Sequence, residues 1–431
     1  MHDAVVVGGG VAGLAAAWAL RDRDVVVLEA EPRVGGRLKS ARRGPYWLNF
    51  GAHVFAGAGT ATDRLLRETG VEARDIPGVL TGVALGDRVV AGGRIETYPF
   101  RLPLSFRDRL AMVRLGAKLR LGVARYDRVL RTRGTQGVLE FMGDRTFADW
   151  TGRLPPDVDA LVRPTIQRSS GEPEALAAGY GIGYFHLVWD RSGGLVRNVV
   201  GGSATLAEAV ASALGDRVRT RMRVHEVREG RESVVVVHDG GELRARHVVL
   251  ATQAHVTREL APGLPAETRV ALDGIAYGPY VLAAFLTNEH GPMPWDGIYA
   301  VAAARRSFNL LFNTANVLRG AGPRVPGGSL TVYSGASLAK PLWDLPDEEV
   351  AARYTDDVAA LFPEVRDVIE EVAVHRWTHG LPFVRPGRAR LQPALERPLG
   401  RLHLAGDYLG TRYTDTAIST GFAAAERILR T

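Results

Sequence analysis

A glycine-rich segment near the amino terminus has the spacing of a phosphate-binding turn, and its residues are Gly8, Gly9, Gly10, Val11, Ala12 and Gly13. Gly8 allows a tight turn, and Gly10 lacks the side chain that would block a pyrophosphate. Gly13 lets a helix lie close to the preceding strand. The first N–H groups of that helix, at Val11 and Ala12, lie at the positive end of its dipole and bind phosphate. The segment therefore predicts a dinucleotide site.

Two strand-like segments must hold this turn in place. The apolar run Ala4–Val7 enters the turn, and Val25–Leu28 has the pattern of a second buried parallel strand. The second strand ends in Glu29, at the distance where a carboxylate accepts hydrogen bonds from a ribose hydroxyl. The order of strand, glycine turn, helix, strand and acid is a stronger signal than the glycines alone.

A second glycine pair follows the acid. Ala30 opens a loop that runs to Gly35-Gly36-Arg37. Paired glycines let the backbone approach a cofactor, and Arg37 is placed to neutralise phosphates. An exposed arginine without a ligand is the alternative interpretation of Arg37.

These motifs together resemble the FAD-binding signature of the flavin amine oxidase, protoporphyrinogen oxidase and carotenoid desaturase superfamily. The carriers of the resemblance are Gly8 to Gly13, the strand-end Glu29 and the Arg-x-Gly-Gly-Arg run from Arg33 to Arg37. The resemblance implies an α/β fold with a three-layer, Rossmann-like FAD domain of the GR2 type. It also implies that Val224 faces the adenine and that Ala251 lies where the chain re-enters the sheet beside the cofactor.

The last forty residues carry a second cofactor signature. Leu402–Asp407 is a short apolar run that ends in Gly406-Asp407, where the backbone approaches the cofactor and the carboxylate binds its polar groups. A helix is predicted from Asp415 to Leu429. Its first turn contains Thr416, Ala417 and Ile418, whose N–H groups are expected to face the flavin pyrimidine. Two signatures at opposite ends favour FAD over NAD.

Four residues are candidates for the substrate side of the site. His53 lies in a Gly-x-His-x-x-x-Gly stretch that resembles desaturase-like members, and it would orient a substrate or contact the flavin; a histidine buried in the core is the alternative. Tyr280 stands where related amine oxidases carry a lysine. Trp377 and His379 would line the cavity or pack in the core.

The composition excludes several classes of function. The 431 residues are 46% hydrophobic and 23% charged, as in ordinary globular proteins, and no run has the length and apolarity of a membrane span. The absence of cysteine excludes a cysteinyl flavin link, so the FAD is expected to be non-covalent, and no metal-ligand pattern stands out. The net charge of +7 is carried mainly by arginine, and no nucleic-acid recognition motif accompanies it. A cytoplasmic location is expected.

The cofactor motifs divide the chain into discontinuous domains. Residues 1–80, 196–265 and 394–431 are expected to form the FAD domain, and 81–195 and 266–393 a mixed α+β substrate domain. The substrate domain includes, within 81–195, a basic helical segment at about 101–133 that has ten Lys or Arg residues and two acidic residues. Its apolar face would contain Leu110, Val113, Ala117, Leu121 and Ala124. The basic face would meet an anionic membrane or a diphosphate, unless it is simply solvated.

The resemblance implies that the substrate gives a hydride to flavin N5, which needs no triad or metal. Tyr280 in place of lysine and the His53 stretch favour desaturation or oxidation of a lipophilic or polycyclic small molecule. Amine oxidation is the alternative, and a flavin-dependent isomerase or mutase without net redox is a further one. The electron acceptor, oxygen, a quinone or another, stays open.

Overall fold

The computed structural model describes residues 1–78, 82–189, 195–319 and 323–431. Its strands are β1 His2–Val7, β2 Val25–Leu28, β3 Ser40–Arg43, β4 Tyr46–Asn49, β5 Phe55–Ala56, β6 Ala73–Asp75, β7 Gly82–Leu85, β8 Arg88–Val90, β9 Leu195–Val199, β10 Val218–Arg219, β11 Val224–Glu229, β12 Val234–His238, β13 Gly241–Leu250, β14 Ala276–Thr287, β15 Ala300–Ala303, β16 Leu310–Asn313, β17 Gly328–Gly335, β18 Ile369–Phe383 and β19 Leu402–Leu404.

The helices occur between these strands and after the last of them. They are α1 Val11–Ala19, α2 Ala61–Thr69, α3 Tyr98–Arg101, α4 Phe106–Glu140, α5 Phe147–Thr151, α6 Pro156–Gln167, α7 Ala178–Tyr184, α8 His186–Trp189, α9 Ala204–Leu214, α10 Ala254–Leu260, α11 Ala266–Asp273, α12 Asp347–Ala359, α13 Gln392–Glu396 and α14 Tyr413–Leu429.

The first sheet holds the two ends of the chain together. Its order is β10-β2-β1-β13-β12-β11, and β19 also pairs with β13. The central strands are parallel and β11, β12 and β13 form an antiparallel meander. Because the carboxyl ends of β1, β2 and β19 meet at one edge, the motifs that follow these three strands are brought together there.

Alternating side chains of this sheet build two cores, as expected for a sheet covered on both faces. Val6 and Val27 pack with α1, α9 and α14 on one face. Val5 and Val26 pack on the other face with the meander and with residues of α10 and α11. The layers are therefore helices, parallel sheet, and meander with helices, which is the Rossmann-like α/β arrangement that the sequence predicts.

The second sheet has the order β18-β14-β17-β16-β15-β7-β8 and is largely antiparallel. One face packs on α12 through Val281 and Phe285. The opposite face carries Leu282, Ala284 and Trp377 toward Leu48 of β4. The sheet's strands fall within the two segments assigned to a substrate domain, and the boundaries at 80, 195, 265 and 393 stay a proposal. Residues 80 and 81, at the first boundary, and residues 190–194, next to the second, lie outside the described residues.

The basic helical segment differs from the prediction in which of its faces is buried. Helix α4 begins after Ser105, whose side chain accepts a hydrogen bond from the Asp108 N–H, and continues to Glu140 with a left-handed φ of 58° at Gly134. The buried residues are Leu115, Leu119, Val123 and Tyr126. They pack against α5, α6 and α7, which leaves the apolar face expected from the sequence pointing to solvent.

That outward face is unusually apolar. Phe106, Leu110, Val113 and Leu121 are 80%, 41%, 40% and 65% exposed. At 100° per residue they fall, with Ala117 and Ala124, within about 80° of arc. We call these six residues the α4 stripe. Within the described residues, the helices lack the combination of length and apolarity needed to cross a bilayer.

Candidate active site

The glycine turn forms the edge of a cleft at the start of α1. Gly13 packs so closely that a Cβ there would lie 2.0 Å from the Gly8 carbonyl oxygen, so helix and strand meet as the sequence predicts. At Gly10, in contrast, a Cβ would meet nothing within 4 Å. The turn therefore combines close packing behind it with open space in front of the N–H groups of Val11 and Ala12, which is the shape that a pyrophosphate needs.

The predicted ribose acid stands beside this turn. Glu29 accepts a hydrogen bond from the Gly9 N–H at 2.7 Å and another from the Glu31 N–H at 2.8 Å. These amides fix its carboxylate at the carboxyl end of β2. The Glu29 carbonyl accepts the Met222 N–H at 2.8 Å, so the segment that enters β11 at Val224 lies next to the acid. Ala30 follows Glu29 in the same half-buried loop.

The second glycine pair closes the cleft. Gly35 forms a bridge with Gly10, and its N–H donates to the Gly9 carbonyl at 2.8 Å. A Cβ on Gly36 would lie 3.5 Å from Gly10 Cα. Ala251, which follows β13, backs the turn: its N–H donates to the Val7 carbonyl at 2.9 Å. The structure thus brings together these residues from separate segments.

Arg37 joins the two cofactor signatures. Its guanidinium makes a two-pronged ion pair with Asp407, with Nη1 2.8 Å from Oδ2 and Nη2 2.8 Å from Oδ1. Nη1 also donates to the Gly380 carbonyl at 3.1 Å. Arg37 therefore has a carboxylate partner inside the protein, and it is not the free surface arginine of the alternative interpretation. Gly406 lies before this acid, and its N–H donates to Thr420 at 3.0 Å.

The carboxyl-terminal helix begins two residues earlier than predicted. It begins at Tyr413, so Thr416, Ala417 and Ile418 lie beyond its first three residues. The Thr416 hydroxyl accepts the Arg412 N–H at 2.8 Å, which tightens the helix entry and explains the earlier start. Ala417 and Ile418 pack in the core that contains α1.

These residues fit FAD on structural grounds. The empty space at Gly10, the fixed Glu29 carboxylate and the start of α1 provide for the pyrophosphate and ribose, and Arg37 with Asp407 lies between the two signatures. The chain has no cysteine to bond the flavin.

A group of buried tyrosines lies beyond the cleft, and we call it the tyrosine cluster: Tyr180, Tyr184, Tyr280, Tyr299, Tyr333 and Tyr413. The rings of Tyr184 and Tyr413 are 5.7 Å apart, and those of Tyr280 and Tyr333 are 6.1 Å apart. Burial raises the pKa of Tyr280 to about 12 and raises that of Tyr333 and Tyr184 well above the usual value. The cluster is therefore aromatic, polar at its hydroxyls and uncharged near neutral pH.

One of the four substrate-side candidates, Tyr280, belongs to the tyrosine cluster, and a second, His53, stacks on one of its rings. Tyr280 donates its hydroxyl to the Arg168 carbonyl. His53 stacks on Tyr333 at 5.6 Å, and its Nδ1 lies 3.1 Å from the Gly51 carbonyl. His53 Nε2 is buried and has no hydrogen-bond partner. Burial lowers the pKa of His53 to about 4, so its ring is neutral at neutral pH.

The other two candidates lie on β18, where Trp377 pairs in register with Tyr280 of β14. Trp377 donates its Nε1 to the Phe50 carbonyl at 2.6 Å and packs edge-on against His375. The His379 ring packs at a tilt against the His255 ring with their centres 4.2 Å apart, and the His379 carbonyl accepts the Gln253 side-chain amide at 2.9 Å. Both residues lie on β18, the strand that also supplies the Gly380 carbonyl to Arg37, and their roles stay predictions.

Sequence reasoning missed Tyr299, Tyr333, Tyr413 and Arg168. They come from separate strands and helix ends, so no spacing links them. Tyr413 has one local signal in the structure, a φ of 52°, a backbone conformation that is rare for residues other than glycine.

Comparison with known proteins agrees with this geometry. The family described as flavin containing amine oxidoreductase matches residues 11–429. Flavin-containing amine oxidase A of Bos taurus is 24% identical over 490 residues, covering all of this chain and 85% of that protein. Flavin-containing amine oxidase B of Homo sapiens is 27% identical over 268 residues, covering 58% of this chain and 50% of that protein.

Solved structures share the fold over the whole chain. Putrescine oxidase bound to putrescine superimposes with a TM-score of 0.80 at 21% identity, covering 100% of this chain and 99% of that one. Cyclohexylamine oxidase from Brevibacterium oxydans IH-35A gives a TM-score of 0.80 at 20% identity with the same coverage. The fold and the cofactor residues define an FAD-dependent oxidoreductase. The chain belongs to the flavin-containing amine oxidoreductase family.

Proposed function

We propose that this protein oxidises the carbon–nitrogen bond of a small-molecule amine. The observation that carries the proposal is the tyrosine cluster at the start of α14, the helix whose amino terminus is expected to face the flavin. Bound FAD accepts two electrons from a carbon next to nitrogen. Family membership favours this reaction over the desaturation of a lipophilic substrate, to which the sequence interpretation gave preference.

The chain's own residues would prepare the amine for oxidation. Buried, uncharged tyrosine side chains disfavour an ammonium ion beside them and therefore favour the neutral amine, whose lone pair is free. Tyrosine rings hold the carbon skeleton by packing and exclude water, and their hydroxyls orient the nitrogen. No lysine is needed for these steps, and Tyr280 occupies the position where the resemblance places one.

The proposal is tested by adding candidate substrates to the FAD-loaded protein without oxygen and following the visible flavin spectrum. Primary amines are expected to bleach the flavin and to yield an aldehyde or ketone with ammonia. The proposal is wrong if amines leave the spectrum unchanged while polycyclic hydrocarbons bleach it. It is also wrong if turnover requires a previously reduced flavin and yields an isomer. Reoxidation with oxygen or a quinone then identifies the electron acceptor.

We further propose that the α4 stripe contacts an anionic membrane surface. Exposed apolar side chains on one arc of a helix, flanked by basic residues, suit the interface of a bilayer. Arg107, Arg114 and Arg125 lie along one side of the stripe by helical geometry, and Arg120 along the other. Two such faces would repel each other, which argues against a second copy as the occupant.

A further inference from the structure

Arg168 places a positive charge within the tyrosine cluster. It follows the last residue of α6, and its carbonyl accepts the Tyr280 hydroxyl. Its guanidinium carbon lies 5.1 Å from the centre of the Tyr184 ring. Burial raises the pKa of the Tyr413 and Tyr299 hydroxyls, and the Arg168 charge opposes part of that rise. The guanidinium is thus close to tyrosines from three separate elements.

This guanidinium makes no ion pair with any acid in the described ranges. The nearby acids Glu172 and Asp407 form ion pairs with other arginines. Glu172 pairs with Arg163 at 3.1 Å and also accepts the Gln167 amide. Asp407, whose charge contributes to the raised pKa of Tyr180, forms an ion pair with Arg37. The surrounding tyrosines are neutral and offer no counter-charge. A half-buried arginine without a carboxylate is unusual, because a buried charge is costly unless it is paired.

The charge also constrains the substrate. An amine is mainly an ammonium ion in water, and a fixed cation among buried side chains repels it. A substrate that carries a carboxylate reverses this effect, because the guanidinium binds a carboxylate through two parallel hydrogen bonds. A zwitterion therefore suits the surroundings of Arg168 better than the corresponding plain amine does.

We propose that Arg168 binds a carboxylate of the substrate, and that the substrate class is amino acids or related amines that carry a carboxylate. This inference rests on the proposed amine oxidation. The reacting carbon loses a hydride to FAD and the nitrogen loses a proton, so a C=N double bond forms while the carboxylate stays intact. Water then converts the imine into a carbonyl compound and ammonia, and FAD is the oxidant of the step.

The test compares pairs of ligands that differ only in the carboxylate. Each enantiomer of phenylalanine and 2-phenylethylamine are mixed anaerobically with the FAD-loaded protein, and the rate of bleaching is measured against concentration. Benzoate, which has no amine to oxidise, is titrated separately and its binding is read from the visible flavin spectrum. The variants are Arg168→Gln and Arg168→Lys, with Arg390→Gln as a control because the Arg390 side chain is 83% exposed and faces the exposed Asp144.

We expect one phenylalanine enantiomer to be oxidised in preference to 2-phenylethylamine. Arg168→Gln is expected to lower its kcat/KM by about 100-fold and to abolish benzoate binding, since a charge-assisted pair is lost. The rate with 2-phenylethylamine should hold or rise. Arg168→Lys should retain part of the benzoate affinity, and Arg390→Gln should behave as the wild type.

Two outcomes overturn the inference. In the first, 2-phenylethylamine is oxidised equally by wild type and Arg168→Gln while phenylalanine and benzoate do not bind, which leaves amine oxidation standing without the carboxylate site. In the second, Arg168→Gln loses FAD and shows unchanged discrimination between the paired ligands, which makes Arg168 a cofactor contact. If benzoate binds through Arg168 but no amine bleaches the flavin, the carboxylate site stands and the proposed reaction fails.

Discussion

Arg37 and Asp407 are 370 positions apart in the chain and form a two-pronged ion pair in which both N–O distances are 2.8 Å. The arginine follows the glycine pair after β2, and the acid follows β19. A third segment joins them, because Arg37 also donates to the Gly380 carbonyl at 3.1 Å. The pair therefore connects both ends of the FAD domain to β18 of the second sheet.

The ion pair is expected to stabilise the fold even without cofactor. Arg37→Ala or Asp407→Asn alone leaves a poorly solvated charged or polar group without its partner, and each should lower the free energy of unfolding. The double variant should lose less free energy of unfolding than the two single variants lose together, and the difference, the coupling energy, should be about 1–3 kcal/mol. Denaturant unfolding of the FAD-free protein measures this coupling. Strictly additive losses would show that the two groups act independently.

Substitutions in and beside the glycine turn should weaken cofactor binding without preventing the protein from folding. Gly10→Val should fold, because a Cβ there meets no protein atom within 4 Å, but it should weaken FAD binding by at least about 10-fold through overlap with the pyrophosphate. Glu29→Gln should weaken it by about 10- to 100-fold, since charged hydrogen bonds are lost. Gly116→Ala, also unobstructed, is the control. Wild-type flavin content in both variants would contradict the cofactor assignment.

The sequence predicted the local geometry of the glycine turn and of the end of β2 because those signals are local. Gly13 must approach Gly8, and Glu29 must end β2, so residue type and spacing report the structure directly. The tyrosine cluster has no such signal. Tyr333 and Tyr413 meet their partners only through the packing of β17 and α14 against the rest of the fold, and helical periodicity alone did not reveal which apolar face of α4 is buried.

The mode of flavin attachment is a third prediction. With no cysteine in the chain, FAD is expected to be held by hydrogen bonds and ion pairs alone. Denaturation in acid followed by centrifugation should therefore leave all the yellow chromophore in the supernatant, where chromatography identifies intact FAD. Flavin that stays with the precipitated protein would demonstrate a covalent bond through another residue.

His53 makes stability depend on pH. Burial lowers its pKa to about 4 in the folded protein, against about 6.5 for an exposed histidine. Between these values the unfolded chain binds a proton that the folded one does not, so the free energy of unfolding should fall by up to about 3 kcal/mol as the pH drops from about 6.5 to 4. His53→Asn should remove this part of the slope. His290→Asn, at an exposed position, is the control, and equal slopes in all three proteins would refute the prediction.

The α4 stripe predicts binding to anionic vesicles. Cosedimentation with vesicles containing phosphatidylglycerol should exceed that with phosphatidylcholine alone and should weaken with salt, because the arginines contribute only while their charges are unscreened. Replacing Phe106 and Leu121 by serine should abolish it, while Leu429→Ser, which removes an exposed apolar residue elsewhere, should not. Indifference to lipid charge would contradict the proposal. A dimer in solution that the same two substitutions dissociate would identify a second copy as the occupant instead.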